Sequence, residues 1–403
     1  MSTDRDQQRF LLHPFDWYQQ QRDFAPVQYD EANGVWSVFR FDDVQEALSN
    51  HVVFSSAFGR GNSSMANPLG ASMISSDPPR HRQLRSLVNQ AFTPRTVALL
   101  EPRITAIVHE LLDVITPSGS TEQAIDLIAA LAYPLPVIVI AELLGIPHEE
   151  REQFKQWSDA IIVGPRAAGM AGRNAQAEMG AYFSRLIQER RQQYGSESGG
   201  QQAYSARGDL ISALLAADVE GERLSIVDVL GFCVLLLVAG NETTTNLIGN
   251  AILCFDEHPE CWDQIRSQPA ALIPGAVEEV LRYRSPVQSM YRTTTAPVEM
   301  NDRIIPAGAP LLAWIGAANR DERQFPDPDR FDIERSPNRH LAFGHGIHFC
   351  LGAPLARLEA RIALEALLQR FNRISRIREI PLEPQPSTIV YGVKHLPLRV
   401  QAG

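Results

Sequence analysis

The chain is poor in cysteine: four in 403 residues, at positions 233, 254, 261 and 350, with no pairing in their spacing. So few thiols exclude a disulfide framework and fit a reducing compartment. Long hydrophobic runs are missing too, since the longest, Val229 to Ala239, is too short to span a bilayer. The N-terminus, Met1-Ser2-Thr3-Asp4-Arg5-Asp6, carries neither a hydrophobic signal segment nor an anchor. These absences predict a cytoplasmic protein with no membrane association. Basic charge is not in excess: 37 Lys and Arg against 47 Asp and Glu leave a net charge of −10, which gives no general attraction to nucleic acid. No repeat is evident and no linker divides the chain, so a single domain over residues 1–403 is expected, with residues 1–10 as a disordered tail. The longest low-complexity stretch, Tyr194 to Arg207, reads as a surface loop.

What is present is enough apolar residue for a large core, 44% hydrophobic with 21% charged, and one unusual stretch, Phe343-Gly344-His345-Gly346-Ile347-His348-Phe349-Cys350-Leu351-Gly352. Its glycines permit turns that a Cβ would resist, so the loop can gather amide N–H groups around one sulfur. Pro354 follows. Leu355, Leu358, Ile362, Ala363 and Ala366 then recur at helical spacing with Arg357, Glu359, Arg361 and Glu365 between them, so a helix begins just after the cysteine. Its positive end also favours a thiolate. Three readings compete for Cys350: a small buried residue, a zinc ligand with His340, His345 and His348, and a haem-iron ligand. Zinc is disfavoured by the lack of a second Cys couple. Gly344-x-Gly346 falls short of a dinucleotide fingerprint, because no glycine stands at 349 and no strand-helix-strand unit surrounds it.

Upstream, Val35-Trp36-Ser37-Val38-Phe39 alternates as a strand, and Asp42 or Asp43 then caps a helix reaching about Ser49. An irregular segment runs from Ser55 to Met73. Asp77-Pro78-Pro79 opens a helix toward Gln90, on which His81 and Arg85 share a face; by itself that face is simply solvated. Residues 98 to 190 read as a series of helices, interrupted at Gly164-Pro165-Arg166-Ala167-Ala168-Gly169 by a hinged cover or a plain loop. Ser225-Ile226-Val227-Asp228 is a capping box before the apolar run and predicts a buried central helix. The run breaks at Ala239-Gly240-Asn241-Glu242-Thr243-Thr244-Thr245, whose polar groups need partners: either the threonines bond back to carbonyls four residues earlier, or a ligand meets them. Val298 to Ile305 reads as a hairpin turning at Asn301-Asp302, Leu311 to Trp314 as a further strand, and Ile389 to Gly392 as a strand turn.

Phe343, Gly346, His348, Cys350 and Gly352 fill every fixed position of F-x-x-G-x-[H/R]-x-C-x-G, and from about residue 30 to 400 the chain resembles the cytochrome P-450 family. Asp77-Pro78-Pro79-Arg80-His81 with Arg85, Ala239-Gly240-Asn241-Glu242-Thr243, and Glu279-x-x-Arg282 match three further family motifs in the family's order. The resemblance implies the mainly α cytochrome P-450 fold with a smaller β-sheet region, and haem b (iron protoporphyrin IX) between a central helix and the cysteine loop. Cys350 would be the axial iron ligand, with Phe343, Gly346, His348, Gly352, Ala239 and Gly240 around the macrocycle and His81, Arg85 and Arg292 on its propionates. Thr243 would hydrogen-bond dioxygen at the site while Glu242 relays protons. Glu279 and Arg282 would form a structural network with Arg330 of Pro328-Asp329-Arg330-Phe331, Arg335 being the fallback. Leu236, Val287, Met290 and Val390 would line the substrate pocket.

The implied activity is insertion of one oxygen atom from O2 into an apolar small molecule, by hydroxylation or epoxidation. No flavin or iron–sulfur domain fits in 403 residues, so a ferredoxin and an NAD(P)H-dependent ferredoxin reductase are expected to supply electrons. Arg80, Arg82, Arg357 and Arg361 would form a basic docking face for them. A peroxide-driven peroxygenase of the same fold and a non-catalytic haem sensor are the alternatives, and the Glu242-Thr243 pair counts against both.

Overall fold

The structure, a computed structural model, describes residues 4–57, 72–115, 122–150, 153–154, 156–157, 169–195, 209–219 and 221–402. Along the chain the main elements are α1 (Asp4–Leu12), α2 (Phe15–Phe24), β1 (Val27–Asp30), β2 (Val35–Val38), α3 (Phe41–Ser49), β3 (Phe54–Ser55), α4 (Arg80–Ala91), α5 (Glu101–Ile115) and β4 (Glu122–Asp126). Next come α6 (Pro134–Leu143), α7 (Gly169–Gly195), α8 (Leu210–Ala216), α9 (Ile226–Glu257) and α10 (Pro269–Tyr283). The chain ends with β5 (Met290–Thr294), β6 (Val298–Met300), β7 (Arg303–Ile305), β8 (Pro310–Ala313), α11 (Ala353–Arg370), β9 (Phe371–Arg376) and β10 (Pro397–Ala402). The chain divides into two compact units: residues 1–55, 102–135 and 243–403 form the first, and residues 56–101 and 136–242 the second.

The first unit holds a five-stranded sheet in the order β1-β2-β8-β5-β3, with β8 parallel to β2 and antiparallel to β5. Val38, Phe41, Val44, Phe54, Leu311 and Phe325 pack its core. Asp321 replaces the expected cap of α3: Arg40 occupies the N-cap without a side-chain capping bond, and the Phe41 N–H donates to Asp321 Oδ2 at 2.8 Å. Asp42 and Asp43 sit in the first turn, where they complement the helix dipole. The hairpin β6–β7 turns at Asn301 (φ 45°) and Asp302 (φ 60°), a left-handed pair that Asn and Asp tolerate and that matches strand twist.

Two expectations are corrected. Residues 4–12 form α1 rather than a tail, because the Phe10 ring packs on Trp17 (centroids 5.4 Å apart) and the Leu12 carbonyl accepts a bond from the Tyr391 hydroxyl at 2.7 Å. The helical series over 98–190 contains β4, which pairs antiparallel with β10 to make a second sheet, β9-β10-β4. The segments read at Ser55–Met73, Gly164–Gly169 and Tyr194–Arg207 fall wholly or largely outside the described residues.

The capping box before α9 forms: the Ser225 N–H donates to Asp228 Oδ2 (2.9 Å) and the Asp228 N–H to Ser225 Oγ (3.2 Å). The 32-residue helix is apolar and long enough to cross a membrane by length and composition alone. Val229, Leu230, Leu237, Leu247 and Ile248 are instead buried inside the protein. Its polar break does not interrupt the helix, and Thr245 donates to the carbonyl of Ala132 (3.1 Å).

Candidate functional site

The cysteine loop closes on itself. The Cys350 N–H donates to the Phe343 carbonyl (2.9 Å), and the Gly344 N–H to the Leu341 carbonyl (2.8 Å). Gly346 has φ +72° and a Cβ there would lie 2.7 Å from Ser49 Cα, so both its backbone angle and the packing of the loop on α3 demand glycine. Gly352 is the N-cap of α11, and a Cβ on it would stand 3.9 Å from Cys350 Sγ. Cys350 is half-buried, unlike the other three cysteines. Burial pushes the Cys254 thiol up to about 12 and Cys261 up to about 11, and raises Cys233 as well, so these three are protonated packing residues. His348 is half-buried in the short turn Gly346–His348.

Zinc chemistry finds no support in this loop. Both ring nitrogens of His340 are engaged, Nε2 with Glu278 Oε2 (3.1 Å) and Nδ1 with the Ala342 N–H (3.2 Å). Among the described residues no group of three His, Cys, Asp or Glu side chains could hold a metal ion. Burial would raise the Glu278 carboxyl, but hydrogen bonds from Arg357 (2.7 and 2.8 Å) and His340 outweigh it and hold the group at about 2. The Arg357 guanidinium also covers the Phe343 ring, 4.4 Å from its centroid.

On α9, Leu236, Gly240, Glu242 and Thr243 are half-buried and Ala239 is exposed. Burial raises the Glu242 carboxyl to about 6. The room left by Gly240 is taken on one side by Ile140, whose Cδ1 would be 2.7 Å from a Cβ there. His81 is buried on α4 and Arg85, one turn later, is half-buried. His81, Arg85 and the α9 residues through Glu242 belong to the second unit; Thr243, Arg292 and the cysteine loop belong to the first. Arg292 is buried on β5, where its Nη1 donates to the Tyr291 carbonyl (2.8 Å).

Glu279 and Arg282 are fully buried and form two parallel bonds of 2.8 Å. Their third member is Arg335, not Arg330. Arg335 Nε donates to Glu279 Oε1 at 3.2 Å, whereas the Arg330 side chain is 70% exposed and leans toward Asp332. The neighbouring Phe331 turns inward onto His258 (ring centroids 5.2 Å apart), which sends the Arg330 side chain out and leaves only its carbonyl to accept from Arg282 and Arg335. The expected docking cations are also partly engaged: Arg80 pairs with Asp228, Arg357 with Glu278 and Arg361 with Glu365. Arg82 is exposed.

Two residues escaped sequence reasoning. Glu359 reads as one of the charges between the apolar positions of α11, yet it lies four residues after Leu355 and three before Ile362 and is buried with them. That spacing was the available signal. Arg284 is buried in contact with Glu257 and Tyr391, and no local pattern marks it.

The sequence pattern of the family described as cytochrome P-450 matches residues 29–396. The chain belongs to the cytochrome P-450 family. Cytochrome P-450 109 of Bacillus spizizenii is 42% identical over 96% of this chain and 92% of its own length. Erythromycin C-12 hydroxylase of Saccharopolyspora erythraea is 42% identical over 95% of this chain and 93% of its own. The crystal structure of CYP109E1 from Bacillus megaterium in complex with testosterone has a TM-score of 0.85 at 42% identity, covering 96% of this chain and 99% of that one. The protein therefore has the mainly helical P-450 fold and is a haem-thiolate monooxygenase that inserts one oxygen atom from O2 into a small molecule, drawing electrons from redox partners. Its cofactor is haem b. The cysteine loop fits that group, since a half-buried thiol in a glycine-framed turn suits the iron.

Proposed function

We propose that Cys350 is the axial ligand of the P-450 haem and that Glu242 and Thr243 serve its proton chemistry. When bound, the haem supplies dioxygen activation and the one-electron steps. The chain supplies the rest. Phe343, Gly346, His348 and Gly352 would frame the group on the cysteine side, Ala239 and Gly240 would face it from α9, and His81, Arg85 and Arg292 would hold its carboxylates. Glu242, raised to about 6 by burial, holds and releases a proton within the working pH range, and Thr243 presents a hydroxyl next to it on α9. This pair favours the monooxygenase reading over a peroxygenase or a haem sensor. Leu236, Val287, Met290 and Val390 exclude water and orient an apolar substrate. Testosterone, present in the Bacillus megaterium relative, is the first ligand to titrate. Electrons come from a ferredoxin and its NAD(P)H-dependent reductase, and the enzyme works in the cytoplasm as a single domain.

The observation that carries the assignment is the cysteine loop, closed by the Cys350–Phe343 bond, with Cys350 the half-buried one of the four thiols. The deciding experiment is the absorption spectrum of the dithionite-reduced protein with and without CO. A strongly red-shifted Soret band in wild type and its loss in Cys350→Ser are expected; a histidine-type CO spectrum in wild type would overturn the assignment.

A further inference from the structure

The two chain segments that carry Val287, Met290 and Val390 lie side by side. Val287 and Val390 form one isolated bridge, supported by the Gln288 N–H donating to the Ile389 carbonyl (2.7 Å) and the Tyr391 N–H to the Pro286 carbonyl (2.8 Å). Met290 is held besides by its sheet pairing with Ala313, and the Gly316 N–H donates to the Gln288 carbonyl (3.0 Å), so the single bridge is the backbone hold between the Val287 and Val390 segments only. Buried side chains tie these two segments to the elements around them.

Tyr18 on α2 donates its hydroxyl to Gln288 Oε1 (2.5 Å). Tyr391 donates to the Leu12 carbonyl at the end of α1 (2.7 Å) and accepts from Arg284 Nη1 (2.6 Å). Arg284 in turn bonds both carboxylate oxygens of Glu257, the last residue of α9, at 2.6 Å. From α9 itself Asn250 donates to the carbonyls of Arg284 (3.0 Å) and Tyr391 (3.2 Å). Tyr18, Arg284, Gln288 and Tyr391 are each at most 5% exposed, so water does not compete for these bonds. The wall is thus pinned at Gln288 by α2, and at Tyr391 by α1 and by the far end of α9.

We propose that Tyr391 and Tyr18 are positioning residues for substrate. Acting through Arg284 and Gln288, they fix where Val390 and Val287 stand and so set the size and shape of ligand the enzyme accepts. Neither tyrosine needs to touch the ligand. The proposal rests on the reading that those two apolar side chains line the pocket.

The test compares dissociation constants of two haem-ligating probes on the holoenzyme, imidazole and the much larger miconazole, by their Soret shifts. A loosened wall raises the ordering cost of binding the large probe and leaves the small one nearly untouched. Tyr391→Phe and Tyr18→Phe are each expected to weaken miconazole relative to imidazole by about fivefold, the factor one hydrogen bond carries. Val390→Ala, which alters the wall directly, is expected to shift the same ratio. If Val390→Ala shifts it and both tyrosine variants leave it within about twofold, the positioning role is overturned, even where those variants melt at lower temperature. If Val390→Ala leaves the ratio unchanged, the pocket reading fails and the proposal with it.

Discussion

Glu359 sits on the buried face of α11, its Oε2 has no hydrogen-bond partner among the described residues, and burial raises its carboxyl to about 8 from a usual 4.5. The folded chain therefore keeps a proton that the unfolded chain releases. Below pH 4.5 both states hold it and nothing is lost; between 4.5 and 8 only the folded state holds it, and stability falls as pH rises. Urea midpoints measured from pH 5 to pH 8 should decline in the wild type. Glu359→Gln keeps the shape without the charge and should flatten that slope; an equal slope in the variant would mean that Glu359 is not neutral in the fold. Glu242 follows the same sign with a smaller rise, to about 6, so its carboxylate is the dominant form at neutral pH while the protonated form remains within reach.

At the scale of elements, the buried Glu279–Arg282 pair joins α10 to the chain before the cysteine loop, with Arg282 Nη1 donating to the carbonyls of Asn319 (3.0 Å) and Pro328 (2.8 Å). Arg335 is the member that completes it, so Arg335→Met should cost about 2 kcal/mol or more, because it removes a charged partner from a buried carboxylate. Arg330→Met should stay within about 0.5 kcal/mol. Comparable losses in denaturant melts of the two variants would return Arg330 to the network. The sequence could not separate these two arginines, since both follow Pro328 closely and only the inward turn of Phe331 decides between them. It was clearer where the signal is local. The Ser225–Asp228 box needs only four residues to form, and Asn301–Asp302 marks its own turn. β4 was missed for the opposite reason: Glu122-Gln123-Ala124-Ile125-Asp126 has little strand character and becomes one by pairing with β10, about 270 residues away. Glu359 was misread because charge outweighed spacing in assigning the faces of α11.

For the whole molecule, each compact unit is assembled from separate pieces of chain, so no single cut divides them, and α9 runs from one into the other. A truncation meant to isolate either unit would have to cut through α9. Haem acts at this scale too, since a ligand bound only by the folded state stabilises it by about 4 kcal/mol at a thousandfold excess over its dissociation constant. Haem-depleted protein should therefore melt several degrees lower in calorimetry and recover on reconstitution; equal melting of both forms would mean that haem binds without help from the folded core. The engaged arginines bear on the choice of electron donor. With Arg80, Arg357 and Arg361 each matched to a carboxylate of their own chain, these residues offer an approaching electron donor little net positive charge, so salt should screen little attraction that they supply.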